Sequence, residues 1–138
     1  GNHADAAADF TRAIRLDPKS ALAYLNRGNA RYQLGKKDEA LADYSTAAEL
    51  DPKNADAWYN RGVVLADRKE DKASLESFDK SIELKPDYAN AWFRRSLVKS
   101  ALGDENAAIE DMKQAAMLGV NAAQVLPNGK NIGWKETK

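Results

Sequence analysis

The 138-residue chain contains no cysteine and a single histidine, His3. A disulfide framework and a thiol nucleophile are thereby excluded, and a zinc site is starved of its usual ligands. Charge of one sign is also missing: 21 basic side chains stand against 21 acidic ones, for a formal net charge of zero. A nucleic-acid binder normally carries a basic excess to meet phosphates, so no nucleic-acid partner is expected. No run approaches the ~20 apolar residues that a membrane-spanning helix needs, and no membrane insertion is expected. Val, Ile and Thr are scarce, at 5, 4 and 3 copies against 25 alanines, which favours helix over sheet. No Gly-x-Ser-x-Gly elbow, phosphate-binding loop or metal signature is present. Carboxylates such as Asp38, Glu39 and Asp43 fall where helix-supporting charge is the ordinary explanation. The chain therefore reads as a binding surface and not an enzyme, with no metal and no other cofactor. Its length suffices for one packed domain.

What the sequence does have is a period. Pro18, Pro52 and Pro86 are 34 residues apart, and Leu16, Leu50, Leu84 and Leu118 keep the same step. So do Ala13, Ala47, Ser81 and Ala115, and Phe10, Tyr44, Phe78 and Met112. Tyr24, Trp58 and Trp92 form another series, followed at fixed distance by Gly28, Gly62 and Ser96. Self-similarity at such a period marks stacked supersecondary units, each too small to bury its own apolar face.

Each unit reads as two helices. The first helices are expected over 21–34, 55–68 and 89–102, and the second over 38–50, 71–84 and 105–118. Gly35 and Gly103 suit the left-handed residue that ends a helix. Lys69 replaces glycine in the middle unit, so that turn is expected to be strained or differently shaped. Asp51-Pro52 and Lys85-Pro86 block the second helices from continuing. Small residues pair where helices approach (Gly28 with Ala40, Gly62 with Ser74, Ser96 with Ala108). Tyr24 with Tyr44, Trp58 with Phe78, and Trp92 with Met112 fill the space beside them. Trp58 and Trp92 accordingly read as wedges between units, not as a cofactor box.

The pattern Trp-x-x-Arg-Gly, followed by Gly, Ala, an aromatic, Ala and Pro within 34 residues, resembles the tetratricopeptide repeat. The resemblance covers 21–54, 55–88 and 89–122 as repeats one to three. Residues 1–20 resemble the second helix of an incomplete preceding repeat, and 123–138 are left as a short cap and tail. It departs at Lys69, Ser96 and Val120. The fold this implies is all-α: a right-handed superhelical solenoid of antiparallel helix pairs, with first helices lining the concave face. The function it implies is a protein–protein interaction scaffold that binds an extended peptide segment of a partner.

Helical spacing gives that face residue by residue. Leu22, Leu25, Asn26, Asn29 and Gln33 share a stripe in repeat one. Asp56, Tyr59, Asn60, Val63 and Asp67 match them in repeat two, and Asn90, Phe93, Arg94, Leu97 and Ala101 in repeat three. The candidate peptide-binding residues are Leu25, Asn26, Asn29, Tyr59, Asn60, Val63, Phe93, Arg94 and Leu97. Amides meet peptide backbone, Leu25, Tyr59 and Phe93 offer apolar pockets, and Arg94 draws a carboxylate. Family members that grip the acidic tails of heat-shock chaperones use a carboxylate clamp. Its asparagine and arginine positions match at Asn29, Asn60 and Arg94, but its lysine positions are Leu25 and Asn90. A chaperone-tail adaptor with an incomplete clamp is thus one alternative. Self-assembly through the solenoid ends is another.

Arg27, Arg61 and Arg95 form a further ladder, read as long stems covering the repeat edge with heads paired to acids such as Asp43 or Asp111. His3 lacks a partner ligand and reads as a surface residue. Residues 3–16 carry an apolar stripe (Ala6, Phe10, Ala13 and Ile14) that repeat one covers only in part. Weak self-association there, or an upstream repeat, is expected. At the other end, 119–126 suggests a short capping helix stopped by Pro127-Asn128-Gly129. Trp134, in an otherwise polar tail, is expected to dock on the last repeat or on a neighbouring molecule. The absence of cysteine is compatible with cytoplasm and with an oxidising space alike.

Overall fold

The computed structural model describes residues 2–120, which form seven α-helices and no strand. They are α1 (Asn2–Leu16), α2 (Ala21–Gln33), α3 (Lys37–Leu50), α4 (Ala55–Asp67), α5 (Asp71–Leu84), α6 (Ala89–Ala101) and α7 (Glu105–Met117). The expectations about the cap, its stop and Trp134 fall largely on 121–138, outside the described residues.

Local chemistry sets the helix starts. The Ser20 hydroxyl accepts from the Ala23 amide, the Asn54 side chain from those of Asp56 and Ala57, and the Asp104 carboxylate from that of Ala107. Each satisfies donors that a helix N-terminus leaves open. Inside each repeat, the hairpin turn needs one residue at positive φ: Gly35 at 77° and Gly103 at 90°. Lys69 takes the same role at φ 61°, so the expected strain is real. A side chain held there costs about 1–2 kcal/mol.

Helices α2 and α3, α4 and α5, and α6 and α7 pack as antiparallel pairs, and each second helix also packs on the first helix of the next pair. Helix α4 further touches α6, so the first helices form one continuous face. Alanines make this close stacking possible: Ala40, Ala47, Ala57, Ala91 and Ala115 are completely buried. Phe78 and Phe93 fill the space between them. The nearest atoms facing Gly28 and Gly62 are ring carbons of Tyr44 and Phe78, rather than the small residues expected from spacing. Trp58 and Trp92 are half-buried wedges with a second task. Their indole N–H groups donate to the carbonyls of Pro52 (3.0 Å) and Pro86 (2.8 Å), pinning the loop that precedes each first helix.

Among the described residues helix α1 packs chiefly on α2 and buries no residue completely. Ala6, Phe10, Ala13 and Ile14 are half-buried, whereas their counterparts Ala40, Tyr44, Ala47 and Ala48 in α3 are buried between two neighbours. Nearby, Leu16 is 88% exposed and Leu22 63%.

Candidate functional site

A groove of about 240 Å³ crosses the face formed by the first helices. Helix α2 contributes Asn29, Tyr32 and Gln33, α4 contributes Tyr59, Asn60 and Val63, and α6 contributes Arg94. Tyr44 reaches in from α3 behind them. Five of the nine residues expected from the sequence therefore meet here: Asn29, Tyr59, Asn60, Val63 and Arg94.

The other four do not. Leu25 is 7% exposed and Phe93 1%, because each first helix is wrapped by its own second helix and by the one before it. Leu25 packs with Ala40, Tyr44 and Ala57, and Phe93 packs with Met112 and Ala115. The apolar pockets expected from these two side chains are core, so only Tyr59 of that column lines the groove. Asn26 is half-buried away from the groove lining, and Leu97 packs against the Phe93 cluster.

Hydrogen bonds fix the polar groups of the groove. The Tyr44 hydroxyl donates to Asn29 Oδ1 at 2.7 Å, and Asn60 Nδ2 donates to the same oxygen at 3.2 Å. With its oxygen occupied twice, Asn29 presents its amide N–H groups, while Asn60 keeps its carbonyl as an acceptor. Together they offer the donor and acceptor that an extended peptide backbone requires. The Tyr32 hydroxyl donates to Asp67 at 2.7 Å, and Lys37 lies 3.4 Å from the same carboxylate. Burial and then the bond to Asp67 push the Tyr32 hydroxyl up to about 12, with the positive charge of Arg94 pulling the other way. Burial likewise raises Tyr44 above the usual tyrosine range. Both rings stay protonated donors at neutral pH. Tyr59 is held by the rings of Tyr88 at 4.8 Å and Phe78 at 5.9 Å.

Arg94 is different. Among the described residues no carboxylate pairs with it, although it stands in the wall of the groove. Sequence spacing missed Tyr32 and Tyr44. Tyr44 carried a signal, since it alone in the series Tyr44, Phe78, Met112 has a polar tip that needs a partner when buried.

Family models for the TPR repeat match residues 1–35 and 28–68, and models for the tetratricopeptide repeat match 55–88 and 89–118. The chain belongs to the tetratricopeptide repeat (TPR) family. No curated protein matches it significantly. Among solved structures it is similar to MamA, at 28% identity and TM-score 0.81 over 86% of this chain and 69% of that one. It is also similar to YrrB, described as a TPR protein with an unusual peptide-binding site, at 27% identity and TM-score 0.78 over 86% of this chain and 61% of that one. A third is the second TPR of Spaghetti (RPAP3) bound to the HSP90 peptide SRMEEVD, at 25% identity and TM-score 0.71 over 73% of this chain and 94% of that one.

The arginine ladder crosses the TPR units between successive second helices. Arg27 holds Asp43 with Nε (3.0 Å) and Nη2 (2.8 Å), and Arg31 adds a bond at 2.8 Å. Arg95 holds Asp111 with Nε (2.8 Å) and Nη2 (2.9 Å), with Lys99 at 2.9 Å from it. Asp79 accepts from Arg95 Nη1 at 2.8 Å. The expected acid pairing thus exists in TPR units one and three. In unit two, the hydrogen-bond partners of Arg61 among the described residues are hydroxyls, at Ser45 (3.2 Å) and Ser77 (2.7 Å). Among the described residues no cluster of His, Cys, Asp or Glu is arranged for a metal ion, and no helix is long and apolar enough to cross a membrane.

Proposed function

We propose that the chain is a non-enzymatic interaction scaffold whose groove binds an extended peptide segment of a protein partner, with a carboxylate lying toward Arg94. The observation that carries this reading is a guanidinium without a carboxylate partner among the described residues, set beside amides whose orientation is already fixed. A fork of charged N–H donors is matched by a planar carboxylate. Asn29 and Asn60 supply sequence-independent backbone contacts, and Tyr59, Val63 and Tyr32 supply apolar wall. The likeness to YrrB and to the peptide-bound RPAP3 repeat supports a peptide ligand.

Titrating peptides with free and amidated C-termini tests this. Affinities on the order of micromolar to tens of micromolar are expected for so small a groove. Arg94→Ala should weaken acid-ended peptides about tenfold and leave amidated ones unchanged, whereas Asn60→Ala should weaken both alike. If Arg94→Ala leaves every detected ligand untouched, the carboxylate assignment is wrong. The adaptor reading makes a different demand, that a tail with several acidic groups such as SRMEEVD outbind a singly charged peptide. Buried Leu25 and uncharged Asn90 at the lysine positions argue against that gain.

A second reading is favoured by the half-covered α1 face: copies of the chain associate weakly through residues 3–16. Light scattering across a concentration series should then show rising mass, abolished by Phe10→Asp. A constant monomer mass in both proteins would end this reading.

A further inference from the structure

The three repeats perform an internal control on one another at the arginine ladder. Positions 27, 61 and 95 all hold arginine, and each guanidinium lies between the second helix before it and the second helix after it. In repeats one and three the Nε and Nη2 edge grips a buried carboxylate, Asp43 or Asp111. The corresponding residue in repeat two is Ser77. Arg61 then turns Nε to the Ser45 hydroxyl and Nη1 to the Ser77 hydroxyl, while Nη2 finds no acceptor among the described residues. No carboxylate lies within ion-pair distance of Arg61 among them either. Arg31 and Lys99, the second cations of the outer repeats, are matched by Leu65 in the middle one. At this place in the ladder the middle repeat thus keeps a single cation, the half-buried Arg61. It is stacked 5.9 Å over the Trp58 ring and held in place by two hydroxyls that can themselves donate.

We infer that Arg61, with the Ser45 and Ser77 hydroxyls beside it, is a binding place for a singly charged oxyanion supplied from outside the repeat. Its ligand is the chemical equivalent of the carboxylate that Asp43 and Asp111 provide from within. The anion seats on Arg61 Nη2 and takes hydroxyl donation from Ser45, the less buried of the two serines. Charge-assisted bonds to a fixed guanidinium fork give both the attraction and the orientation. The site lies on a different part of the repeat from the peptide groove, whose lining includes none of these residues, so it stands or falls independently of the groove reading.

The test follows the Arg61 Nε–H resonance by NMR while inorganic phosphate replaces chloride at constant ionic strength, with acetate as a second arm. In the wild-type chain the Arg61 signal is expected to move and saturate in the ~1–10 mM range, while those of Arg27 and Arg95 stay in place. Saturation by both anions supports the site as one for a carboxylate-like group, and saturation by phosphate alone overturns that assignment. Ser77→Asp builds the missing carboxylate into the repeat and should abolish the response. Should that variant not fold, Arg61→Gln serves instead: its melting temperature should no longer rise with phosphate relative to chloride, whereas that of the wild type does. A shift that is linear and equal at all three arginines, or a phosphate-dependent melting rise that survives Arg61→Gln undiminished, overturns the inference.

Discussion

Replacing Asp43 by alanine is expected to cost the fold about 3–5 kcal/mol. The carboxylate is only 4% exposed and accepts three charge-assisted bonds, two from Arg27 and one from Arg31. The Arg27 pKa is raised by the hydrogen bond to Asp43, against the opposing effect of burial, so the acid holds the guanidinium in its charged form. Removing the acid leaves Arg27 with the Thr11 hydroxyl at 3.3 Å, and Arg31 with Glu39 at 3.5 Å. Two cations then face each other with their buried counter-charge gone, and native stabilities of about 5–15 kcal/mol leave little margin for that. Asp43→Ser copies the middle repeat and supplies a hydroxyl acceptor, so it should cost less, about 1–3 kcal/mol. Asp111→Ala should also cost less than Asp43→Ala, because Asp79 remains 2.8 Å from Arg95. Urea unfolding followed by circular dichroism ranks the three variants. A loss below about 1 kcal/mol for Asp43→Ala, or a larger loss for Asp111→Ala, would show that the ladder is not a stabilising element.

Much of this architecture is readable from the residues because a repeat displays the same constraint several times. The prolines at 18, 52 and 86 and the glycines at 35 and 103 mark helix ends that the structure reproduces to within about a residue. Lys69 shows the same logic from the other side, since the period alone identifies it as standing where glycine belongs. The groove was legible as a helical stripe, but not in its width. Periodicity tells which residues share a face of one helix, and it carries no information on how many neighbours enclose that helix. Leu25 and Phe93 are one residue from Asn26 and Arg94 in the chain, yet the flanking second helices bury the first two. Hydrogen bonding was less legible still. That Asn29 receives two donors depends on Tyr44 crossing from α3 and Asn60 from α4, contacts 15 and 31 residues away in sequence. The substitution of Ser77 for the ladder carboxylate could have been found from spacing alone. Arg27 and Asp43, and likewise Arg95 and Asp111, are 16 residues apart, as are Arg61 and Ser77.

Gly62→Ser should destabilise the chain by about 2 kcal/mol, but by no more than about 1 kcal/mol in a chain that already carries Phe78→Met. A Cβ at position 62 would lie 2.8 Å from Phe78 Cε1, 2.9 Å from Cδ1 and 3.1 Å from Cζ. These are atoms of a rigid ring that is completely buried, so it cannot swing into solvent to make room. Serine improves on glycine in a helix interior by only a few tenths of a kcal/mol, too little to offset overpacking. Repeat three has already made both changes. Ser96 stands at the glycine position and is almost fully buried, and Met112 stands where the ring would be. The Ser96 hydroxyl donates to the Phe93 carbonyl within its own helix, so the polar atom is satisfied, and the unbranched thioether adapts its shape around it. Phe78→Met alone should lose about 1–2 kcal/mol of packing. The double variant should then be more stable than the sum of the single losses predicts, by about 1–2 kcal/mol of coupling. A double-mutant cycle in urea, read by far-ultraviolet circular dichroism and by tryptophan fluorescence near Trp58, measures that term directly. Strictly additive losses would mean that the ring is not what demands glycine at this position.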